Sequence, residues 1–289
     1  MLRLLQMVVP DAVTRIAPFP QTALAIIERL PNHADEPYQI TDLVAREPEW
    51  QREVPYVVYR PDEGININAI DPEEVIAALP VDELAKIVVT IASHQYIRNT
   101  MTRTELQRYW RYTLACATAS DELARNSTVN RALAYSAGLL HDAGRLALMA
   151  SYPEKYANLL TLTERMFRVG EQFDLSDYER TLFGLDRFAI AEWLADAWQL
   201  PESLRSIVVK FQNVPPGQEL DLVTTVRFGT RLAHALGFGL MLGAPRARPR
   251  EILGQLPGPV RRRWLDFQEL PHVIEGRLVR YAELWPVVK

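Results

Sequence analysis

Residues 134–148 read AYSAGLLHDAGRLAL, and no other stretch of the chain says more about its fold. Small residues at 134, 137 and 138 fall on one side of a helix, so a neighbouring helix can approach closely. The pair His141-Asp142 follows near the end of this helix, and Gly144 is expected to mark its break or terminus. The imidazole and the carboxylate can ligate one metal ion there, although a hydrogen-bonded pair at a helix end is the simpler interpretation.

Helical periodicity continues on both sides of this stretch. The clearest start signal is DPEE at residues 71–74, where an aspartate cap and a proline precede two acidic residues. The segment YVVY at 56–59 is prone to β-structure, but Pro55 and Pro61 bracket it, and we interpret it as irregular or as a distorted helix. Apolar residues recur at helical spacing over residues 24–30, 84–92, 106–123, 131–150 and 188–198. The pattern predicts an all-α, multi-helix bundle.

The length of 289 residues allows one or two packed units. The clearest interruption of the helical pattern is Pro215-Pro216-Gly217. We therefore expect a helical domain over residues 1–213 and a helical extension over residues 214–289 that packs on it. The net charge of −4 argues against a whole-chain binder of polyanions, although residues 214–289 hold 11 basic against 7 acidic residues.

The composition excludes several classes of protein. Cys116 is the only cysteine, so neither an intrachain disulfide nor a thiolate zinc cage can form. No apolar run reaches the roughly 18 residues of a membrane span, and the apolar stretch before Pro10 is too short for a signal peptide. The cytoplasm is the expected location.

The histidines at 33, 94, 234 and 272 lack ligand spacing and are expected at the surface or at the edge of the core.

A basic cluster near the C-terminus is the candidate anion-binding surface. It consists of Arg261, Arg262 and Arg263, beside Trp264 and Phe267, on which a nucleobase can stack. We interpret the cluster as a solvated connector whose arginines pair with nearby acidic residues, because no nucleic-acid motif accompanies it. Nucleic acid is therefore not an expected partner.

The stretch AGLLHDAGRL at 137–146 resembles, almost letter by letter, the signature of the HDOD family, a branch of the HD phosphohydrolase superfamily. The likeness extends over about residues 16–212. Further matching stretches are APFP at 17–20, the helix pair at 70–92, YWRYTLA at 109–115, FGLD at 183–186 and WQLPE at 198–202. The resemblance implies an HD-like helical bundle and a role in bacterial signalling.

Departures from the family pattern bear on the chemistry. Active HD phosphohydrolases hold a metal with a histidine before the HD pair, the pair itself and a later aspartate. The resemblance places Tyr112 at the first position and Thr230 at the last, while Arg187 stands where a histidine often occurs. It therefore implies a vestigial metal site reduced to His141 and Asp142, with no cofactor.

The front half also departs from the family. Residues 47–50 read EPEW where relatives usually have an Asp-Pro pair, and the family's Asn-Ser pair is missing. We expect this segment to take a local shape of its own.

We interpret the chain as a non-enzymatic signal-transduction module that binds another signalling protein or a small ligand such as a nucleotide. An alternative, resting on His141-Asp142 alone, is a divergent metal-dependent phosphohydrolase of nucleotides or cyclic dinucleotides. A third is binding of nucleic acid or an acidic partner through the three C-terminal arginines.

Overall fold

A computed structural model describes residues 9–32, 38–59, 66–100, 104–125, 127–171, 174–210, 220–256 and 268–282. Over these ranges the regular structure is helical, without strands, as the sequence pattern predicts. The helices are α1 (Asp11–Thr14), α2 (Gln21–Arg29), α3 (Tyr38–Ala45), α4 (Pro48–Val58), α5 (Pro72–Ala78), α6 (Val81–Thr100), α7 (Thr104–Ala124), α8 (Arg131–Leu140), α9 (Ala143–Ser151), α10 (Pro153–Arg168), α11 (Leu175–Phe183), α12 (Arg187–Ala197), α13 (Glu202–Lys210), α14 (Leu222–Ala233), α15 (Pro249–Gly254) and α16 (Leu270–Ala282).

Local sequence signals explain where α5 begins, and the β-prone segment falls at the end of α4. α5 begins as predicted, with the Asp71 carboxylate accepting from the Glu73 amide at 2.9 Å and Pro72 at the first helical position. The β-prone segment at 56–59 is helical as far as Val58, the last residue of α4, although this helix contains Pro55, which lacks an amide proton; Tyr59 is extended.

The predicted helix over residues 131–150 is in fact two helices. α8 ends at Leu140 and α9 begins at Ala143, so the break comes at His141-Asp142 rather than at Gly144. Gly144 lies inside α9, where a Cβ atom would collide with the carbonyl oxygen of Arg187 at the start of α12. Its role is therefore to let two helices touch.

α7 lies at the centre of the bundle. A Cβ on Gly138 of α8 would come within 2.8 Å of the Ala117 Cα, and one on Gly229 of α14 would collide with Ser120. Both neighbours thus lie against the small-residue faces of α7. Asp121, near the end of α7, accepts a 2.6 Å hydrogen bond from Arg277 of α16.

Two helices that follow residue 213 therefore pack on α7. The predicted boundary between residues 213 and 214 lies outside the described residues and stays a prediction. So do Arg261, Arg262 and Arg263, whose candidate anion surface is likewise undescribed. No described helix combines the length and the apolar character that a membrane span requires.

Candidate functional site

The HD pair forms the two-residue link between α8 and α9. His141 Nδ1 lies 2.8 Å from the carbonyl oxygen of Gly138, one turn back in α8. A carbonyl only accepts, so Nδ1 carries the ring proton and the neutral ring presents Nε2 as an acceptor. Burial lowers the pKa of His141, which favours this neutral form.

Tyr112 of α7 occupies that acceptor. Its hydroxyl lies 3.0 Å from His141 Nε2, and the two rings meet edge to face with centroids 5.4 Å apart. Burial raises the pKa of the Tyr112 phenol, so the phenol stays protonated and donates. The nitrogen lone pair available to a metal ion is thus directed at a proton.

Arg145 of α9 pairs with the second member of the HD pair. Its Nε donates to Asp142 Oδ2 at 2.5 Å, and both side chains are buried. Burial by itself would lower the pKa of Arg145, but Asp142 and then Tyr156 and Glu179 outweigh it and raise that pKa. The guanidinium is therefore a permanent cation beside the carboxylate. Tyr109 holds the backbone of Asp142 by donating to its carbonyl oxygen at 3.0 Å.

A second buried ion pair lies close to the first. Glu179 of α11 accepts from the Tyr156 hydroxyl at 2.5 Å and from Arg187 Nη1 at 2.9 Å. It also accepts from the backbone amide of Arg187 at 3.0 Å. Arg187, which stands where relatives often have histidine, is thus neutralised by Glu179. Together with Asp142 and Arg145, this pair forms a buried set of two anions and two cations.

Thr230, the expected counterpart of the later metal-binding aspartate, lies on α14. Its hydroxyl donates to the carbonyl oxygen of Val226 at 2.9 Å and contacts the thiol of Cys116. That thiol in turn contacts Tyr112, so Thr230 is joined to the surroundings of the HD pair through α7. Burial raises the pKa of Cys116 and keeps the thiol neutral.

The side chains around the HD pair do not fit a divalent cation. Among the described residues, no three or more histidines, cysteines or acidic residues are grouped to hold a metal ion. A catalytic metal needs several protein ligands and an open position for water. Here the Tyr112 proton faces the imidazole, and the Arg145 charge faces the carboxylate.

Sequence reasoning singled out Tyr112, Arg187 and Thr230 as departures from the family's metal-binding pattern, but it missed Arg145. The available signal was its position three residues after Asp142, a spacing at which side chains meet on a helix. The expectation for His94 was wrong, since this residue is 1% exposed, in the core. There it packs against Trp110, and burial, with Arg98 second, lowers its pKa to about 4.

A comparison with protein families matches the HDOD domain over residues 16–214. An HDOD domain protein of unknown function from Geobacter sulfurreducens has a similar structure, with a TM-score of 0.69 at 19% identity. That similarity covers 93% of this chain and 90% of the other.

Two further structures share the fold. One, from Marinobacter aquaeolei VT8, is provisionally described as a signal transduction protein (TM-score 0.63, 20% identity, 93% of this chain and 58% of the other). Another, from Shewanella amazonensis SB2B, is provisionally described as a phosphohydrolase (TM-score 0.59, 14% identity, 93% of this chain and 97% of the other). No curated protein matches the chain by sequence.

Proposed function

The chain belongs to the HDOD domain family, and from this premise we propose that it is a non-enzymatic regulatory module of signal transduction. It acts by binding a second signalling protein or a small ligand in the cytoplasm. The observation that carries the proposal is the internal pairing of the HD pair, in which Tyr112 satisfies His141 and Arg145 satisfies Asp142.

The energetics of these pairings favour a closed site. A metal ion would have to displace the phenol proton and separate Arg145 from Asp142. Either change leaves a buried polar or charged group without its partner, and for the ion pair the cost is about 3–5 kcal/mol. A site with two ligand residues offers little to offset that cost.

A direct test measures metal content and hydrolysis together. Purified protein is incubated with Mn²⁺, desalted and analysed for metal, then assayed with p-nitrophenyl phosphate and with a cyclic dinucleotide. We expect much less than one metal ion per chain and no turnover above that of the matched His141→Ala variant. Stoichiometric metal with turnover that His141→Ala abolishes would contradict the proposal and favour the phosphohydrolase alternative.

A gain-of-function variant tests the reason for the closed site. Tyr112→His with Arg145→Met removes the donating phenol and the competing cation while adding an imidazole. We expect this double variant to bind Mn²⁺ at least about tenfold more tightly than the parent chain. Equal affinity for the parent and the variant would show that the internal pairings are not what excludes the metal.

A further inference from the structure

A polar groove lies between α4 and α6, formed by residues other than those around the HD pair. α4 lines it with Glu49, Arg52, Glu53 and Tyr56, which share one helix face at spacings of three and four. α6 contributes Gln95 and Arg98 from successive turns. The groove is open to solvent and has a volume of about 340 Å³, which is at the lower end of the range for small-molecule sites.

Hydrogen bonds between the two helices hold the groove in shape. Trp50, a buried residue of α4, donates from Nε1 to Gln95 Oε1 at 3.3 Å, and Gln95 Nε2 donates to Glu53 Oε1 at 2.9 Å. At the far end, the Tyr56 hydroxyl donates to Asn68 at 2.8 Å. A groove fixed in this way loses little conformational entropy when a ligand enters.

Glu53 has an unused acceptor. Its second oxygen, Oε2, is shielded from water and meets no hydrogen-bond donor among the described residues. An unsatisfied carboxylate oxygen is unfavourable, so a donor brought to this carboxylate gains more than it would on an open surface. The terminal torsion of glutamate is soft, so the carboxylate can reorient to present an oxygen to an incoming donor.

The charges that line the groove are balanced: it has the carboxylates of Glu49 and Glu53 and the guanidinium groups of Arg52 and Arg98. Arg52 and Arg98 are exposed and have the geometry that binds a carboxylate in a paired fashion. A purely anionic ligand would meet Glu49 and Glu53, and a purely cationic one would meet the arginines. A ligand that carries both charges matches both sets.

We propose that this groove binds a small zwitterionic metabolite, with its primary ammonium group on Glu53 and its carboxylate on Arg52 and Arg98. α4 lies in the segment whose sequence departs from the family pattern, so the groove is not something that the resemblance to the family implies. The ligand adds an input to the regulatory function proposed above. Binding is measured independently of metal and turnover, so either proposal can fail while the other stands.

The test titrates the full chain with ω-amino acids of increasing length, namely glycine, γ-aminobutyrate and 6-aminohexanoate. Acetate and methylamine, the two halves of such a molecule, are titrated at equal ionic strength. We expect at least one zwitterion to bind with a Kd of about 1 mM or below, and each half at least about tenfold more weakly. Absence of saturable binding by all three, or equal binding by a half-molecule, would overturn the proposal.

Variants locate the binding. Arg98→Gln removes an exposed guanidinium at the groove and should weaken zwitterion binding at least about tenfold. Arg168→Gln removes an exposed guanidinium on α10 and is the matched control, expected to bind as the parent does. Glu53→Gln should weaken binding of the ammonium half. Equal affinity for the Arg98 and Arg168 variants, with unchanged circular dichroism, would place the binding elsewhere and refute the site.

Discussion

His141 and Asp142 each meet a side chain that replaces what a metal ion would supply. A cation in an HD site accepts a lone pair from the imidazole and neutralises the carboxylate. In this chain Tyr112 provides a proton for the first task and Arg145 provides a positive charge for the second. The pair therefore remains buried without an uncompensated acceptor or charge, which is the condition for keeping polar groups in a core.

The Arg145–Asp142 pair gives the sharpest prediction for single residues. Arg145→Met leaves Asp142 buried beside an apolar side chain, so we expect the free energy of unfolding to fall by about 3–5 kcal/mol. Adding Asp142→Asn to that variant removes the stranded charge and should recover a large part of the loss. Urea unfolding of the parent, both single variants and the double variant measures the coupling.

Additive losses in this cycle would contradict a direct pairing. Arg205→Met is a matched control, because Arg205 pairs with Asp196 in an exposed position where an ion pair contributes little.

How much of the site was predictable differs from residue to residue. The HD pair and its neighbours Tyr112, Thr230 and Arg187 followed from the resemblance to the HDOD family. The spacing of three residues between Asp142 and Arg145 allowed their pairing, but it did not show that both side chains would be buried together. The groove on α4 depends on how α4 packs against α6, and a sequence pattern does not specify that contact.

Among the helices, capping and proline signals predicted starts well, because they act through neighbouring residues. Asp71 and Pro72 begin α5 as their chemistry requires. The break between α8 and α9 was placed at Gly144 instead, since glycine is the common signal for a helix end. Gly144 instead serves tertiary packing, because the absence of a side chain lets the backbone of α12 come into contact with α9.

A side chain at position 144 is therefore expected to disturb the packing of α9 against α12. Gly144→Ala puts a methyl group into the carbonyl of Arg187, so we expect the free energy of unfolding to fall by about 1–3 kcal/mol. Gly276→Ala in α16 is the matched control, because a Cβ there meets open space and alanine favours a helix by about 0.5–1 kcal/mol. Urea unfolding of both variants should give changes of opposite sign. A neutral or stabilising effect at Gly144 would contradict the close approach.

At the scale of the whole molecule, Asp121 joins helices that are far apart in sequence. Its carboxylate meets Arg277 of α16 at 2.6 Å, Arg131 of α8 at 2.9 Å and Lys86 of α6 at 3.5 Å. Burial would raise the pKa of Asp121, but Arg277, Lys86 and Arg131 outweigh burial and lower it from the ordinary 3.8. The last described helix is thereby tied to the core of the HDOD bundle.

The lowered pKa fixes the direction of a pH effect. The unfolded chain binds a proton at Asp121 more readily than the folded one. The stabilisation that the charged Asp121 provides is therefore complete at a pH above the ordinary pKa of aspartate. This stabilisation is lost as the pH falls through the lower pKa that Asp121 has in the folded protein. Asp121→Asn should reduce the free energy of unfolding by about 3 kcal/mol near neutral pH, because three cations lose their shared anion. The difference from the parent should shrink as the pH drops below about 4.

Urea unfolding at a series of pH values compares this variant with Asp177→Asn, whose carboxylate is exposed and whose loss should matter little at any pH. Because α6, α7, α8 and α16 meet at Asp121, the variant should shift one cooperative transition seen alike by far-UV circular dichroism and by tryptophan fluorescence. Two separate transitions would show that α16 unfolds on its own, which would contradict a C-terminal segment held by this carboxylate. A deficit that persists unchanged in acid would contradict the lowered pKa.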